Sequence, residues 1–223
     1  APATDTVEKG GRRMQVTRPA QQLILYQVGR SGLSRPWRVA TLIHRSHDYT
    51  LAYIVKGFTV LSQDREECPA LLAPVDYQGE LARYPYKASG RRTLYWLTPA
   101  GQTWYAQAYG QPAVPSELPS RIKAHHGLVH AVDILETRDL FTDLGFEIRE
   151  EPQPLLYTDD VWGPRSEPDL LLTDADGAWP VEVQRDIRRA HETKWAKALE
   201  LAAGRLIIVL ETEQDRARQA RLL

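Results

Sequence analysis

Two carboxylates and an amide lie at a spacing that could hold a metal ion. Pro168-Asp169 opens the apolar run Leu170-Leu171-Leu172, and Glu182-Val183-Gln184 continues from Pro180-Val181. Between the runs stands the turn-rich tetrapeptide Asp174-Ala175-Asp176-Gly177, so the segment predicts a β-hairpin. A hairpin folded symmetrically about the Ala175–Asp176 bond sets Asp169 opposite Glu182, with Cβ atoms roughly 5 Å apart. Gln184, two residues after Glu182, points to the same face. Two carboxylates so close repel unless a proton or a cation sits between them. A hard divalent cation, Mg²⁺ or Mn²⁺, suits such oxygen ligands. The chemistry expected of the arrangement is metal-assisted phosphodiester hydrolysis, although a plain surface hairpin carrying turn acids would show the same spacing.

The surrounding sequence predicts elements able to position this hairpin. His126 to Leu144 carries Leu128, Val129, Val132, Leu135, Leu140 and Leu144 at helical spacing. Gly145 stops that helix, and Phe146-Glu147-Ile148-Arg149 alternates like a strand. After the hairpin, Asp186 to Ala203 reads as an amphipathic helix ended by Gly204. Arg205 to Leu210 is an apolar run typical of a buried parallel strand, and Gln214 to Leu223 reads as a closing helix. The predicted order is α-β-β-β-α-β-α.

Charge divides the chain of 223 residues. Residues 1–126 carry 16 Lys and Arg against 9 Asp and Glu, whereas residues 127–223 carry 12 against 20. A basic half suits a polyanionic partner, with double-stranded DNA the first expectation. An acidic half suits a cation site. A 43% hydrophobic content is ample for a core, and no run of eighteen apolar residues exists to span a membrane. The first residues, Ala1-Pro2-Ala3-Thr4-Asp5, lack the apolar stretch of a secretory signal, so cytoplasm is the expected compartment. A single cysteine, Cys68, excludes an internal disulfide and a cysteine-based zinc site.

The basic half predicts three helices and a basic hairpin. Residues 1–16 are polar and aperiodic and read as a flexible arm. Pro19 to Val28, stopped by Gly29, is the first helix, and the second follows a Ser34 cap. The third begins at Asp48 or Thr50 and holds Leu51, Ile54 and Val55. In a helix-turn-helix that third helix enters the major groove, so Tyr49, Thr50, Tyr53 and Lys56 are the candidate DNA contacts. Leu81 to Tyr86 and Thr93 to Leu97 are strand-like and flank a small basic turn. Its Lys87, Arg91 and Arg92 suit contact with sugar-phosphate backbone. Thr98 then caps a helix whose first position is Pro99, running to about Tyr109. Gly110 to Pro119, with three prolines in a short stretch, reads as a linker. The expected fold class is α/β in two domains, α+β overall: a winged helix-turn-helix over 17–110, a linker over 111–124, and the metal-binding domain over 125–223.

Pro168-Asp169, Glu182 and Gln184 together resemble the PD-(D/E)XK nuclease-like core, a restriction-endonuclease-like α-β-β-β-α-β fold. The resemblance implies that Asp169 and Glu182 hold the metal. It also implies a lysine two residues after the glutamate, where this chain has Gln184. In some members the lysine has moved to the following helix, which makes Lys194 and Lys197 candidates. Others are scaffolds that only bind. A further acid from the first core helix is implied, Glu136 ahead of Asp133. An active site requires Asp169, Glu182 and a lysine ammonium to converge; a retired one leaves the lysines in solvent.

Both halves together resemble the bacterial replication-relaxation family of plasmids and mobile elements over roughly residues 17–203. The resemblance rests on Tyr95-Trp96-Leu97-Thr98-Pro99-Ala100-Gly101, the helix around His126–Leu140, and the Asp169/Glu182 hairpin. It implies a DNA-binding protein tied to replication or mobilisation, with Asp169, Glu182, Gln184 and Lys194 as the catalytic set if it cuts. A homodimer through the closing helix is a candidate assembly. Two other chemistries are weaker. His126 and His130, four apart beside His125, have a zinc-compatible spacing, but no zinc-protease glutamate or nearby cysteine accompanies them. No nucleophile elbow and no glycine-rich phosphate loop is present.

Overall fold

A computed structural model describes residues 7–9, 12–14, 18–44, 49–65, 68–75, 93–125, 127–149, 167–175, 177–184 and 189–210. The chain is a mixture of helix and sheet and divides into two compact units, Ala1–Ser120 and Arg121–Leu223. The expected basic turn with Lys87, Arg91 and Arg92, the strand over 81–86 and the closing helix from Gln214 lie outside the described residues.

In the first unit, strands β1 (Val7–Lys9) and β2 (Arg12–Met14) pair antiparallel. The arm expected to be flexible therefore contains a ladder, and the dipeptide separating the strands in the sequence is Gly-Gly, a hairpin signal that outweighs the polar composition. Helices α1 (Pro19–Ser31), α2 (Pro36–His44) and α3 (Leu51–Leu61) follow. Strand β3 (Leu72–Pro74) pairs antiparallel with β4 (Tyr95–Leu97), and α4 covers Pro99–Tyr109. Ile24, Leu25, Val28, Val39, Ile54, Phe58, Leu71, Leu72, Trp104 and Tyr105 form one core.

Three local expectations change here. Helix α1 does not stop at Gly29 but runs to Ser31, with Gly32 as its left-handed cap. Gly29 is instead a contact glycine: a Cβ there would stand 2.2 Å from Tyr105 Cδ2, so its bareness lets α4 pack onto α1. Ser34 does not cap α2. Its backbone N–H donates to Tyr95 O and its carbonyl accepts from Tyr95 N–H, at 3.0 and 2.8 Å, tying the α1–α2 connection to β4. Finally, part of the proline-rich stretch is strapped to the first unit. Val114 N–H donates to Gly29 O at 2.7 Å, and Pro115 O lies 2.5 Å from where a Gly32 Cβ would be. The division between units then falls after Ser120, within helix α5 (Leu118–Ala124).

The Thr98-Pro99-Ala100-Gly101 junction has a direct physical reading. Thr98 Oγ1 accepts from Gly101 N–H at 3.0 Å and donates to Ala70 O at 2.7 Å. Thr98 N–H donates to Leu71 O at 3.0 Å. This draws α4 so close to the 70–71 backbone that a Cβ on Gly101 would lie 2.1 Å from Leu71 O. Threonine, proline and glycine each answer one requirement: cap, helix start and contact.

In the second unit, α6 (Leu128–Asp143) leads into a four-stranded sheet of order β5-β6-β7-β8. Strand β5 (Glu147–Arg149) pairs antiparallel with β6 (Leu170–Asp174), and β6 with β7 (Gly177–Gln184). Helix α7 (Arg189–Leu201) crosses over to β8 (Ile207–Leu210), parallel to β7. Ile134 of α6 packs with Leu170, Leu172, Val181 and Val183. Asp174 Oδ1 accepts from Gly177 N–H at 3.0 Å, closing the hairpin, and Gly177 takes φ 123°, which favours glycine. Strand β8 is parallel as expected but only half-buried along its length rather than buried, because it is paired on one side only among the described residues.

The Gly101 contact is testable against another glycine. Gly101→Ala is expected to cost about 1–3 kcal/mol through backbone overpacking. Gly110→Ala, with nothing within 4 Å of its Cβ position and φ 68°, should cost only about 1 kcal/mol of left-handed strain. Urea unfolding followed by tryptophan fluorescence measures both, and equal losses would contradict this reading of the junction.

Candidate functional site

The hairpin register is the one the sequence predicts. Leu170 pairs with Val181, Leu171 with Pro180 and Leu172 with Trp179, so the next position beyond the ladder sets Asp169 against Glu182. Side chains alternate along β7, which puts Val181 and Val183 into the apolar core and Glu182 and Gln184 on the other face. The ladder ends at Leu170, and the Asp169 side chain takes over its role. Asp169 Oδ2 accepts from Val183 N–H at 2.7 Å, which fixes the carboxylate against β7.

Three elements then converge on the two acids. From α6, His130 Nε2 lies 3.1 Å from Asp169 Oδ1. From α7, Lys194 Nζ donates to Glu182 Oε2 at 2.7 Å. Gln184 Nε2 reaches the same Oε2 at a long 3.4 Å. Glu182 is 0% exposed, yet its Oε1 accepts no hydrogen bond among the described residues. Lys194 remains 40% exposed along its side chain, so the ammonium bridges a buried acid and the surface.

These surroundings split the two acids. Burial pushes the Asp169 carboxyl up, but the hydrogen bond and charge of His130, then the Val183 N–H and the field of Lys194, hold it below its usual value. Burial raises the Glu182 carboxyl; Lys194 and Gln184 oppose that, the Asp169 charge adds to it, and the net result is a raised value. One acid is thus held ionised, while its neighbour is drawn toward keeping a proton.

Glu136 is not brought into this pair. It lies six residues after His130, about 120° round the helix from the His130 side at 100° per residue. It is half-buried with partners of its own, as is Asp133. Among the described residues, no group of three or more His, Cys, Asp or Glu could hold a metal ion. Lys197 is half-buried on α7 and, among the described residues, is bonded to neither carboxylate. His130 was legible only as one of a histidine trio. Its pairing with Asp169 spans 39 residues and leaves no local signal in the sequence.

The two acids nevertheless fit a hard cation. Both are oxygen ligands, they are adjacent, and Glu182 carries a buried oxygen that no donor reaches among the described residues.

In the first unit, α3 begins at Thr50, whose side chain accepts from Tyr53 N–H at 3.3 Å. Tyr49 and Tyr53 stack, ring centroids 5.3 Å apart and planes 15° from parallel. Tyr53, Thr50 and Lys56 are exposed and Tyr49 is half-buried. Lys56 also lines a cleft of about 410 Å³ with Arg18, Gln21, Gln63 and Arg65. Arg18 and Arg65 join it from outside α3, which the helical pattern gave no reason to expect. Among the described residues, no helix is long and apolar enough to cross a membrane.

No family model, no curated protein and no solved structure matches this chain.

The split between the acids predicts opposite pH dependences. Asp169, held low in the fold, contributes stability that is complete above its unfolded value and lost as pH falls through the folded one. Glu182, held high, contributes most below its unfolded value and progressively less as pH rises through the folded one. Asp169→Asn should therefore lose melting temperature mainly at neutral pH, its deficit shrinking as pH falls below the ordinary carboxylate range. Glu182→Gln should show a deficit that shrinks in the other direction. Parallel curves for the two variants would contradict the assignment.

Proposed function

We propose that this protein binds duplex DNA through a winged-helix first unit and carries a metal-dependent, endonuclease-like site in its second. The observation that supports the reading most is the Lys194 ammonium, 2.7 Å from a fully buried Glu182 that lies opposite Asp169. The lysine missing at position 184 is replaced in space by one from the following helix. The α-β-β-β-α-β order with a parallel β7–β8 pair agrees with a PD-(D/E)XK core, and the order α1, α2, α3, β3, β4 agrees with a winged helix.

In this mechanism Asp169 and Glu182 hold Mg²⁺ or Mn²⁺, which when bound supplies Lewis acidity and a water of lowered pKa. Asp169 is kept anionic by its hydrogen bonds. Lys194, partly exposed, brings positive charge to a phosphate beside Glu182, which Gln184 cannot do. Gln184 can orient a water through its amide. Thr50, Tyr53 and Lys56 meet the duplex on α3, with Arg18 and Arg65 adding backbone contacts across the cleft.

One observation favours a second reading, a DNA-binding replication or regulatory protein on a retired nuclease scaffold. Three of the four carboxylate oxygens already have partners within the chain, so the site is nearly self-satisfied.

Supercoiled plasmid with Mg²⁺ or Mn²⁺ separates the two. The nuclease reading expects nicking that Asp169→Ala, Glu182→Ala and Lys194→Met each abolish while a DNA-shift assay is unchanged. Binding without metal-dependent cutting would leave the scaffold reading. Independently, Arg18→Ala, Lys56→Ala and Arg65→Ala should weaken duplex binding irrespective of sequence. Each should lower the salt slope of log K by about 0.9, and an unchanged slope would remove the cleft from the interface.

A further inference from the structure

Among the described side chains bonded to the acid pair, His130 is the one the nuclease reading does not use, and it stands on the helix where that reading would seek another acid. We propose that His130 is a positioning residue for the metal site, holding Asp169 by its Oδ1 so that the carboxylate is fixed from both ends. The inference rests on the metal-site reading of Asp169 and Glu182.

The geometry carries it in three steps. Asp169 stands just beyond the end of the β6 ladder, where no backbone pairing restrains its side chain. One of its oxygens is anchored to β7 through Val183 N–H at 2.7 Å, which leaves rotation of the other oxygen to be fixed by something else. His130 Nε2, 3.1 Å from Oδ1, supplies that second anchor from α6. The helix is itself held by the sheet: Ile134, one turn after His130, packs with Leu170 and Val181, the ladder pair next to Asp169 and Glu182. Carboxylates that hold metals depend on such hydrogen-bonding neighbours, whose loss typically lowers metal affinity by about 10–100-fold.

His130 is 31% exposed against 12% for Asp169, so it can be replaced without opening the core. The ring also meets His125 edge-on, centroids 6.1 Å apart and planes at 87°, which restrains its orientation from the helix entry. His130 thus stands at the acid pair with His125 against its ring.

Mn²⁺ binding to the full chain, read by electron paramagnetic resonance without DNA, tests the idea apart from any cutting activity. His130→Phe keeps ring volume and removes the donor; His130→Gln keeps an amide N–H that can reach Asp169. The expected result is a loss of Mn²⁺ affinity of about 10–100-fold for His130→Phe and substantial recovery for His130→Gln, with both variants melting near the wild type. Wild-type affinity in His130→Phe would overturn the positioning role while leaving the metal site intact. A wild-type protein that binds no Mn²⁺, like Asp169→Ala, would overturn the metal reading and this inference together. Should His130→Phe melt early, His130→Gln alone decides: weakened binding in a stable His130→Gln variant also overturns a role based on the donor.

Discussion

The second unit is organised around a carboxylate that has been taken out of water. Glu182 is fully buried on a central strand, faces Asp169, and is met by a lysine from the next helix. Burial of a charge is costly unless a partner compensates, and breaking such a pair is strongly destabilising. The hairpin register sets Glu182 opposite Asp169, and α7 brings the partly exposed Lys194 ammonium to its Oε2. Nothing about stability alone calls for the arrangement, since an apolar pair of similar volume would often serve as well. The retained charges are the reason to look for chemistry here.

The two acids share a location but not an electrostatic role. Asp169 sits at the frayed end of the ladder, where a backbone N–H and a histidine favour its anion. Glu182 sits inside the sheet, where desolvation outweighs its lysine. The two carboxyls are thus pushed toward opposite protonation states. Among the described residues, no donor reaches Glu182 Oε1.

Much of this was legible in the sequence because the signals were local. The hairpin register followed from a two-residue turn flanked by apolar runs, and Thr98-Pro99-Ala100-Gly101 announced its helix start. Lys194 was named, beside Lys197, only through the nuclease-like resemblance, and its meeting with Glu182 spans 12 residues. What was not legible was non-local. His130 meets Asp169 across 39 residues, Gly29 exists for Tyr105, and Ser34 pairs with Tyr95 rather than capping α2. Gly29 resembled a helix stop because glycine's low helical propensity and its tolerance of close packing look the same in sequence. Glu136 matched an expected role by its element but lies about 120° round α6 from His130 at 100° per residue, with partners of its own. Strand β3 was missed because its three residues carry no periodicity, and their pairing with β4 alone defines them.

The central claim is that Asp169 and Glu182 form a divalent-cation site with Lys194 beside it. Crystals grown with Mn²⁺ and a short duplex, measured at the manganese absorption edge, test it most directly. The account predicts an anomalous peak bonded to oxygens of both Asp169 and Glu182, with the Lys194 ammonium turned toward a DNA phosphate. DNA bound to the first unit, with no peak at the acids and Lys194 still on Glu182, would contradict it.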